Sequence, residues 1–248
     1  MNKILTIISL LFVSAIASAN TAVSEINGKI DSAYANLNSV DAWISGGSFS
    51  APIDEEFGVQ LDALYADIGE EGFDFGEFGG FGGHFFWRDS EIGLYGVSVG
   101  GVWSDDIESY EISAEGEYYY GLLTLGARVG YAMIEFDDAL GSLDPDEDGA
   151  FGLAYLTAYP LEELSVTGGV EYRFDNAAFR VEAEYALPVD GLSLFAQGLF
   201  ANDDYEQGIV GLRYYFGSVK NLQERHRQDD PRNVLKDILT GVFTYSAE

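Results

Sequence analysis

The chain has 248 residues, with 42 acidic side chains, 12 basic ones, no cysteine and a formal net charge of −30. A sequence without cysteine excludes disulfide scaffolds, cysteine–zinc sites and thiol nucleophiles, and this acidity excludes nucleic acid as a partner, because phosphates are bound by Lys and Arg. Yet 47% of the residues are hydrophobic and 15% are aromatic, which excludes a disordered chain. Strands with one apolar face, joined by acidic loops, account for both the negative charge and the high hydrophobic content.

The N-terminus carries an export signal. Lys3 precedes an apolar run over 4–16, and Ala17-Ser18-Ala19 has the small residues of a cleavage site. We therefore predict a signal peptide over 1–19 and a mature chain from Asn20. The alternative is an uncleaved membrane anchor, which the short run disfavours because a spanning helix needs about 20 apolar residues.

The next part of the chain alternates with a period of two. Phe179 and Val181, for example, interleave with Arg180 and Glu182, which places charges on one face of a strand and apolar side chains on the other. About twelve such segments are predicted, each near the 9–11 residues of a tilted membrane strand. They run approximately over 27–37, 42–51, 56–67, 79–88, 92–103, 109–119, 122–135, 150–159, 164–174, 177–187, 192–201 and 207–216.

The two faces favour a membrane barrel over a soluble sheet protein. A β-sandwich or a lipocalin-type barrel turns its apolar face inward, and the lipocalin type uses fewer strands. In this sequence the second face is charged, small or Gly-rich, which suits a polar lumen inside a lipid-facing exterior. We therefore predict an all-β fold, an antiparallel transmembrane β-barrel over 20–216.

The connections predict the orientation. Pro52, Pro160 and Pro188 open short turns between even-numbered and odd-numbered strands, whereas the longer acidic loops, Gly69–Phe78 and Asp137–Gly149, lie at the opposite junctions. Membrane barrels have short periplasmic turns and longer extracellular loops. Both termini are therefore expected in the periplasm.

The chain resembles the outer-membrane β-barrel proteins of Gram-negative bacteria, in the porin-like and opacity-like group. The resemblance covers roughly Gly28 to Phe216, and the segment from Gly208 to Phe216 looks like the closing strand of that group with its terminal aromatic residue. The departure is that 32 residues follow Phe216. The segment with Arg225-His-Arg-Gln-Asp-Asp-Pro231 is similar to the tails of small barrels and implies no activity.

The predicted lumen collects charges of both signs. One interpretation is a wall held together by ion pairs, and the other is a narrow pore whose carboxylates favour cations. The candidate pore-lining residues are Lys29, Asp31, Asp62, His84, Glu111, Glu115, Glu117, Arg128, Glu171, Arg173, Arg180, Glu182, Glu184 and Arg213.

Acidic loops hold much of the remaining charge. Asp144, Asp146 and Asp148, followed by Gly149, match the first half of a calcium loop, but Tyr155 stands where the bidentate Glu is required. A solvated loop is the favoured reading, and a weakly bound Ca²⁺ is the alternative. No other cofactor is expected.

Catalysis is not expected. A hydrolase would need a nucleophile beside a histidine, and only His84 and His226 are present. No nucleophile motif accompanies His84, so a structural or pore-lining histidine is the favoured reading.

The segment 217–248 differs from the barrel because it has no net charge. We predict a periplasmic tail, partly helical or disordered, with Asp230-Pro231 as a helix start. A more specific hypothesis is that the tail docks at an acidic mouth of the barrel and gates or plugs the pore. The docking residues would be Arg225, His226, Arg227 and Arg232.

The sequence thus predicts an outer-membrane porin-like barrel that gives weak, cation-favouring passive diffusion of small solutes. Its expected partners are outer-membrane lipid and lipopolysaccharide. The alternative is a non-conducting structural or adhesive barrel whose acidic loops bind divalent cations or a surface partner.

Overall fold

The computed structural model describes residues 21–70, 73–136, 147–201, 205–229 and 231–245. Twelve antiparallel strands form a closed barrel in sequence order, and β1 pairs with β12. The strands are β1 (Asn27–Leu37), β2 (Val40–Pro52), β3 (Phe57–Glu70), β4 (Phe73–Asp89), β5 (Gly93–Trp103), β6 (Ile107–Tyr120), β7 (Leu123–Phe136), β8 (Glu147–Leu161), β9 (Leu164–Arg173), β10 (Asn176–Ala186), β11 (Leu192–Ala201) and β12 (Glu206–Phe216). Two helices follow, α1 (Leu222–Gln228) and α2 (Val234–Tyr245). The predicted antiparallel barrel of about twelve strands is confirmed.

Side chains alternate between the lumen and the exterior, as the sequence period requires. On β1, Ile30 and Tyr34 are about half exposed, whereas Lys29, Asp31 and Ala33 are buried. The same alternation exposes apolar and aromatic side chains on the outer face of every strand. An exterior of this kind fits the hydrocarbon of a bilayer.

β1 begins and β12 ends at the same end of the barrel. We call the end at which β1 begins and β12 ends the terminal rim, and the opposite end the loop rim. Turns at 53–56, 90–92, 121–122, 162–163 and 187–191 lie at the terminal rim. At the loop rim, Asn38 and Ser39 both have positive φ, the backbone of a tight two-residue hairpin turn.

One predicted loop is largely strand. An acidic loop is predicted over Gly69–Phe78, but β3 continues to Glu70 and β4 begins at Phe73. Phenylalanines within this stretch favour strand over loop, and a register shift between Ile68 and Gly69 accommodates the change. The central part of the other predicted long loop, 137–146, lies outside the described residues.

The C-terminal segment is helical, and its position differs from the predicted periplasmic tail. α2 lies inside the barrel, because its apolar side chains pack in one buried cluster with inward-facing side chains of the strands. The predicted signal peptide, 1–19, lies outside the described residues. Among the residues described, no helix is long and apolar enough to cross a membrane.

Candidate functional site: a helix in the lumen

α2 is enclosed by the barrel wall. Every residue over 234–244 is buried, and a helix without an exposed face must be surrounded on all sides. Its polar contacts reach separate parts of the wall, because Lys236 pairs with Asp31 on β1 while Asp237 pairs with Arg180 on β10.

The helix points from the terminal rim towards the loop rim. The Lys29 ammonium, near the start of β1, donates to the carbonyl oxygen of Pro231 at 3.3 Å. At the other end, the Phe243 ring lies 5.8 Å from the Phe78 ring near the start of β4. The Gln207 amide, near the start of β12, donates to the carbonyl oxygen of Thr240 at 3.0 Å. α2 therefore occupies the half of the lumen nearer the loop rim.

Around α2 the lumen wall is apolar. We call this region the apolar chamber, and α2 fills it with Leu235, Ile238, Leu239 and Val242, all fully buried. Membrane barrels ordinarily have a polar lumen, so an apolar wall requires an apolar occupant. The wall of the chamber includes Ala33, Ala35, Leu37, Ile44, Leu64, Ala66, Ile68, Phe78, Val102, Ile107, Ile134, Ala178, Phe195, Leu199 and Ile209.

Two glycines let α2 approach the wall closely. A Cβ atom on Gly100 would lie 3.0 Å from Ile238 Cδ1 and 3.2 Å from Val234 Cγ2. A Cβ atom on Gly82, on the neighbouring strand, would lie 3.2 Å from Leu235 Cδ2. Side chains at these two positions would compete with the helix for the same space.

Below the apolar chamber, three arginines and three carboxylates form a closed ring of alternating charge, which we call the charge ring. Its order is Glu111, Arg128, Asp237, Arg180, Glu171 and Arg173, which contacts Glu111 again.

The charge ring is tightly bonded. Arg128 lies 3.1 Å from both Glu111 and Asp237, and Arg173 lies 2.8 Å from Glu111 and 2.9 Å from Glu171. Five members belong to the barrel wall, and only Asp237 comes from α2. Without Asp237 the wall members carry three positive and two negative charges, so the tail completes the charge balance of the ring.

A second ionic group joins β1, β10 and β12. The Asp31 carboxylate lies between Lys236 and Arg213, whose Nε is 3.7 Å away. Arg213 also pairs with Glu184, which accepts a hydrogen bond from the Ser193 hydroxyl at 2.6 Å. α2 is thus fixed to the wall on two sides by charge-assisted contacts.

His84 is held between two carboxylates. Its Nε2 lies 3.0 Å from Asp62 and its Nδ1 lies 2.8 Å from Glu115. The Gln60 amide donates to Asp62 at 2.9 Å and accepts from the Ser50 hydroxyl. Both ring nitrogens are therefore engaged, which favours the structural reading of this histidine over a catalytic one.

All fourteen candidate pore-lining residues occupy inward-facing strand positions. The structure brings together the five wall members of the charge ring and the three residues Asp31, Glu184 and Arg213, whereas the other six contact different parts of the lumen. Glu117 accepts from the Tyr155 hydroxyl at 2.6 Å, and Glu182 accepts from Arg232 at 2.8 Å. In this structure most of these residues therefore make ion pairs within the wall or with the tail.

The four predicted docking residues lie at the terminal rim and just inside it. His226 contacts the Tyr159 hydroxyl at 3.2 Å, and the Arg227 guanidinium donates to the carbonyl oxygen of Leu123 at 2.7 Å. Burial lowers the pKa of Arg227. Arg225 stacks on the Tyr215 ring and bonds carbonyl groups of its own segment.

Two of the four docking residues reach wall carboxylates. Arg232 pairs with Glu182 at 2.8 Å and stacks on the Tyr155 ring, and His226 Nε2 lies 3.6 Å from the Glu184 carboxylate. The mouth contacts of the other described docking residues are mostly with tyrosine rings, hydroxyl groups and carbonyl oxygens. Docking therefore uses aromatic surfaces as well as acidic ones.

A small polar cavity of about 80 Å³ lies between the tail and the wall on the terminal side of the charge ring. Hydroxyl groups of Thr157, Ser165 and Thr167 line it together with Arg213 and Arg232. Lys236 and Asp237 of α2 also line this cavity.

The calcium prediction is only partly covered by the structure. Asp144 and Asp146 lie outside the described residues, and Asp148 accepts a hydrogen bond from the Tyr131 hydroxyl on the barrel exterior. Within the described ranges no group of three His, Asp or Glu side chains is arranged to hold a metal ion. A weak Ca²⁺ site in this loop stays a prediction.

Lys236 and Asp237, the two charged residues of α2 that reach the wall, are not among the site residues predicted from the sequence. The signal was present in the strands themselves, because β1 and β3 carry apolar residues on both faces near the loop rim, as in Ala33-Tyr34-Ala35 and Leu64-Tyr65-Ala66. A water-filled lumen would leave the second apolar face without a partner.

Asp237→Asn is expected to loosen α2, because the neutral amide leaves Arg128 and Arg180 short of one buried counter-charge. Removing one partner of a buried ion pair costs about 3 kcal/mol or more. Limited trypsin digestion followed by mass spectrometry should show cleavage after Lys236, which is protected in the parent chain. Asp105→Asn, at an exposed position of the loop rim, is the matched control, and equal protection of both variants would contradict the prediction.

Solved structures resemble this fold, although no protein-family model and no curated protein matches the chain. The KdgM porin in complex with disordered oligogalacturonate has a TM-score of 0.56 at 10% identity, over 76% of this chain and 99% of that one. The NanC porin has a TM-score of 0.54 at 8% identity, over 75% and 98%. The COG4313 outer membrane channel from Pseudomonas putida F1 has a TM-score of 0.52 at 8% identity, over 78% and 96%. The fold is thus that of the porin-like outer-membrane β-barrels, which confirms the resemblance at the level of fold.

Proposed function

We propose that this protein is an outer-membrane porin-like channel that its own C-terminal helix holds closed. The observation that carries the proposal is that α2 is buried on every side within the lumen. With side chains, an α-helix has a diameter of about 10 Å, so its departure would open a path wide enough for hydrated ions and small solutes.

The charges of the lumen support a preference for cations once α2 has left. Among the described strand residues of the middle and terminal part of the lumen, the wall has more carboxylates than basic groups. The acidic side chains are Asp31, Asp62, Glu111, Glu115, Glu117, Glu171, Glu182 and Glu184, and the basic ones are Lys29, His84, Arg88, Arg128, Arg173, Arg180 and Arg213. An excess of wall carboxylates favours cations in a pore.

Planar-bilayer recording tests this function. The full chain is expected to conduct weakly, and deletion of 218–248 is expected to raise the conductance several-fold with a reversal potential that shows cation preference. The full chain in the same bilayer is the control. Equal conductance, or a preference for anions, would contradict the proposal.

The burial of α2 within the lumen also favours a second candidate function, that of a non-conducting structural or adhesive barrel. In that case α2 is a permanent core, and exposed acidic residues at the loop rim, such as Asp105 and Asp106, bind divalent cations, lipopolysaccharide or a surface partner. A chain lacking 218–248 that assembles and still does not conduct would select this candidate.

A further inference from the structure

The lumen has two adjoining regions of opposite chemistry. The apolar chamber near the loop rim includes Leu37, Ile44, Leu64 and Val102, and the charge ring lies immediately below it. α2 matches both regions, because its Asp237 carboxylate enters the ring while Ile238, Leu239 and Val242 continue into the chamber.

The wall part of the charge ring is one carboxylate short. Arg128, Arg173 and Arg180 face two wall carboxylates, Glu111 and Glu171. Within the described part of the chain, the buried Nε atoms of Arg128 and Arg180 have no hydrogen-bond partner. The two guanidinium groups converge on the place that Asp237 takes, and arginine binds carboxylates strongly in such a geometry.

We propose that the lumen binds an anionic amphiphile, whose carboxylate takes the place of Asp237 in the charge ring and whose alkyl chain enters the apolar chamber. This site rests on the proposed function, since α2 must leave before the ligand binds. The distance from Asp237 to Phe243 along a helix is about 9 Å, which suits an alkyl chain of medium length. Such a ligand covers the apolar wall that the departing helix would otherwise expose to water.

The site can be opened and closed in one sample with a disulfide. A Cβ atom on Gly100 would lie 3.2 Å from Val234 Cγ2, so Cβ atoms at positions 100 and 234 would be less than about 5 Å apart. A disulfide joins Cβ atoms about 3.5–4.5 Å apart. The chain has no cysteine of its own, so Gly100→Cys with Val234→Cys introduces the only thiols.

The test uses the full chain in lipid nanodiscs with this cysteine pair and Asp237→Asn, which removes the internal carboxylate. Radiolabelled octanoate is the probe, octyltrimethylammonium is the comparison of opposite charge, and empty nanodiscs correct for partition into lipid. Equilibrium dialysis of the reduced sample should show saturable octanoate binding, at least tenfold tighter than binding of the cation. Oxidation should abolish the octanoate binding.

Equal octanoate binding in the reduced and oxidised samples, or equal binding of both probes, would overturn the site. Conductance of the same samples separates the two proposals. If reduction raises the conductance but octanoate does not bind, the ligand site alone is refuted. If reduction neither raises the conductance nor permits octanoate binding, the closed channel is refuted as well.

If the triple variant does not assemble, the cysteine pair alone carries the test. In its reduced form, rising octanoate concentration should increase the open probability of the channel, and octyltrimethylammonium should not. An open probability that octanoate does not change would overturn the proposal.

Discussion

Replacing Gly100 with leucine is expected to drive α2 out of the lumen and to raise the open probability of the channel. The Cβ atom alone would lie 3.0 Å from Ile238 Cδ1, 3.1 Å from Leu235 Cδ2 and 3.2 Å from Val234 Cγ2. The remaining atoms of leucine would therefore overlap the helix. Overpacking of this kind costs about 1–3 kcal/mol, which increases an open population about 5- to 150-fold.

Single-channel recording of the full chain measures this effect. Gly168→Leu is the matched control, because that glycine lies on the outer face of β9 and an added Cβ atom would have nothing within 4 Å. If the two variants have the same open probability, α2 does not control conduction through contact with β5.

The second large effect concerns the side of the membrane on which the C-terminal segment lies. We expect a cysteine added after Glu248 to react from the same side as Asp105→Cys, at the loop rim, and from the side opposite to Asp190→Cys, in the turn between β10 and β11. α2 runs to the loop rim, where Thr244 meets Gln207. The three residues after Tyr245 span at most about 11 Å, too little to return through a barrel about 25 Å tall.

Labelling of intact cells with a membrane-impermeant maleimide measures this arrangement. In the orientation with short periplasmic turns, the added cysteine and Asp105→Cys should react, and Asp190→Cys should react only after lysis. Each sample contains a single thiol because the chain has no cysteine. Protection of the added cysteine until lysis would contradict the direction of α2 and would favour the periplasmic C-terminus expected from the sequence.

The two-residue alternation of apolar and polar side chains, together with the residue types in the turns, was sufficient to predict the barrel. Alternation of the kind seen at Phe179, Arg180 and Val181 predicts one face for lipid and one for the lumen, and all the predicted strands form. The prolines at 52, 160 and 188 predict short turns at one rim. These signals are local, since each depends on a few neighbouring residues.

The charge ring and the position of α2 could not be predicted in the same way. Each inward charge was identified, but its partner depends on the register of several strands and on a helix distant in sequence. Asp237, for instance, lies 57 residues from Arg180. The apolar stripe of Val234, Leu235 and Ile238 indicates that the helix needs a cover, but the pattern alone does not indicate that the barrel supplies it.

The position of α2 also bears on the order of assembly. α2 follows β12 in the chain, yet the seam between β1 and β12 is part of the wall that surrounds it. A barrel that closed early would present an empty apolar interior to water until the last segment entered through the terminal rim. Closing of the seam around α2 avoids that exposed state, so the final strand and the final helix are expected to reach their places in one cooperative step.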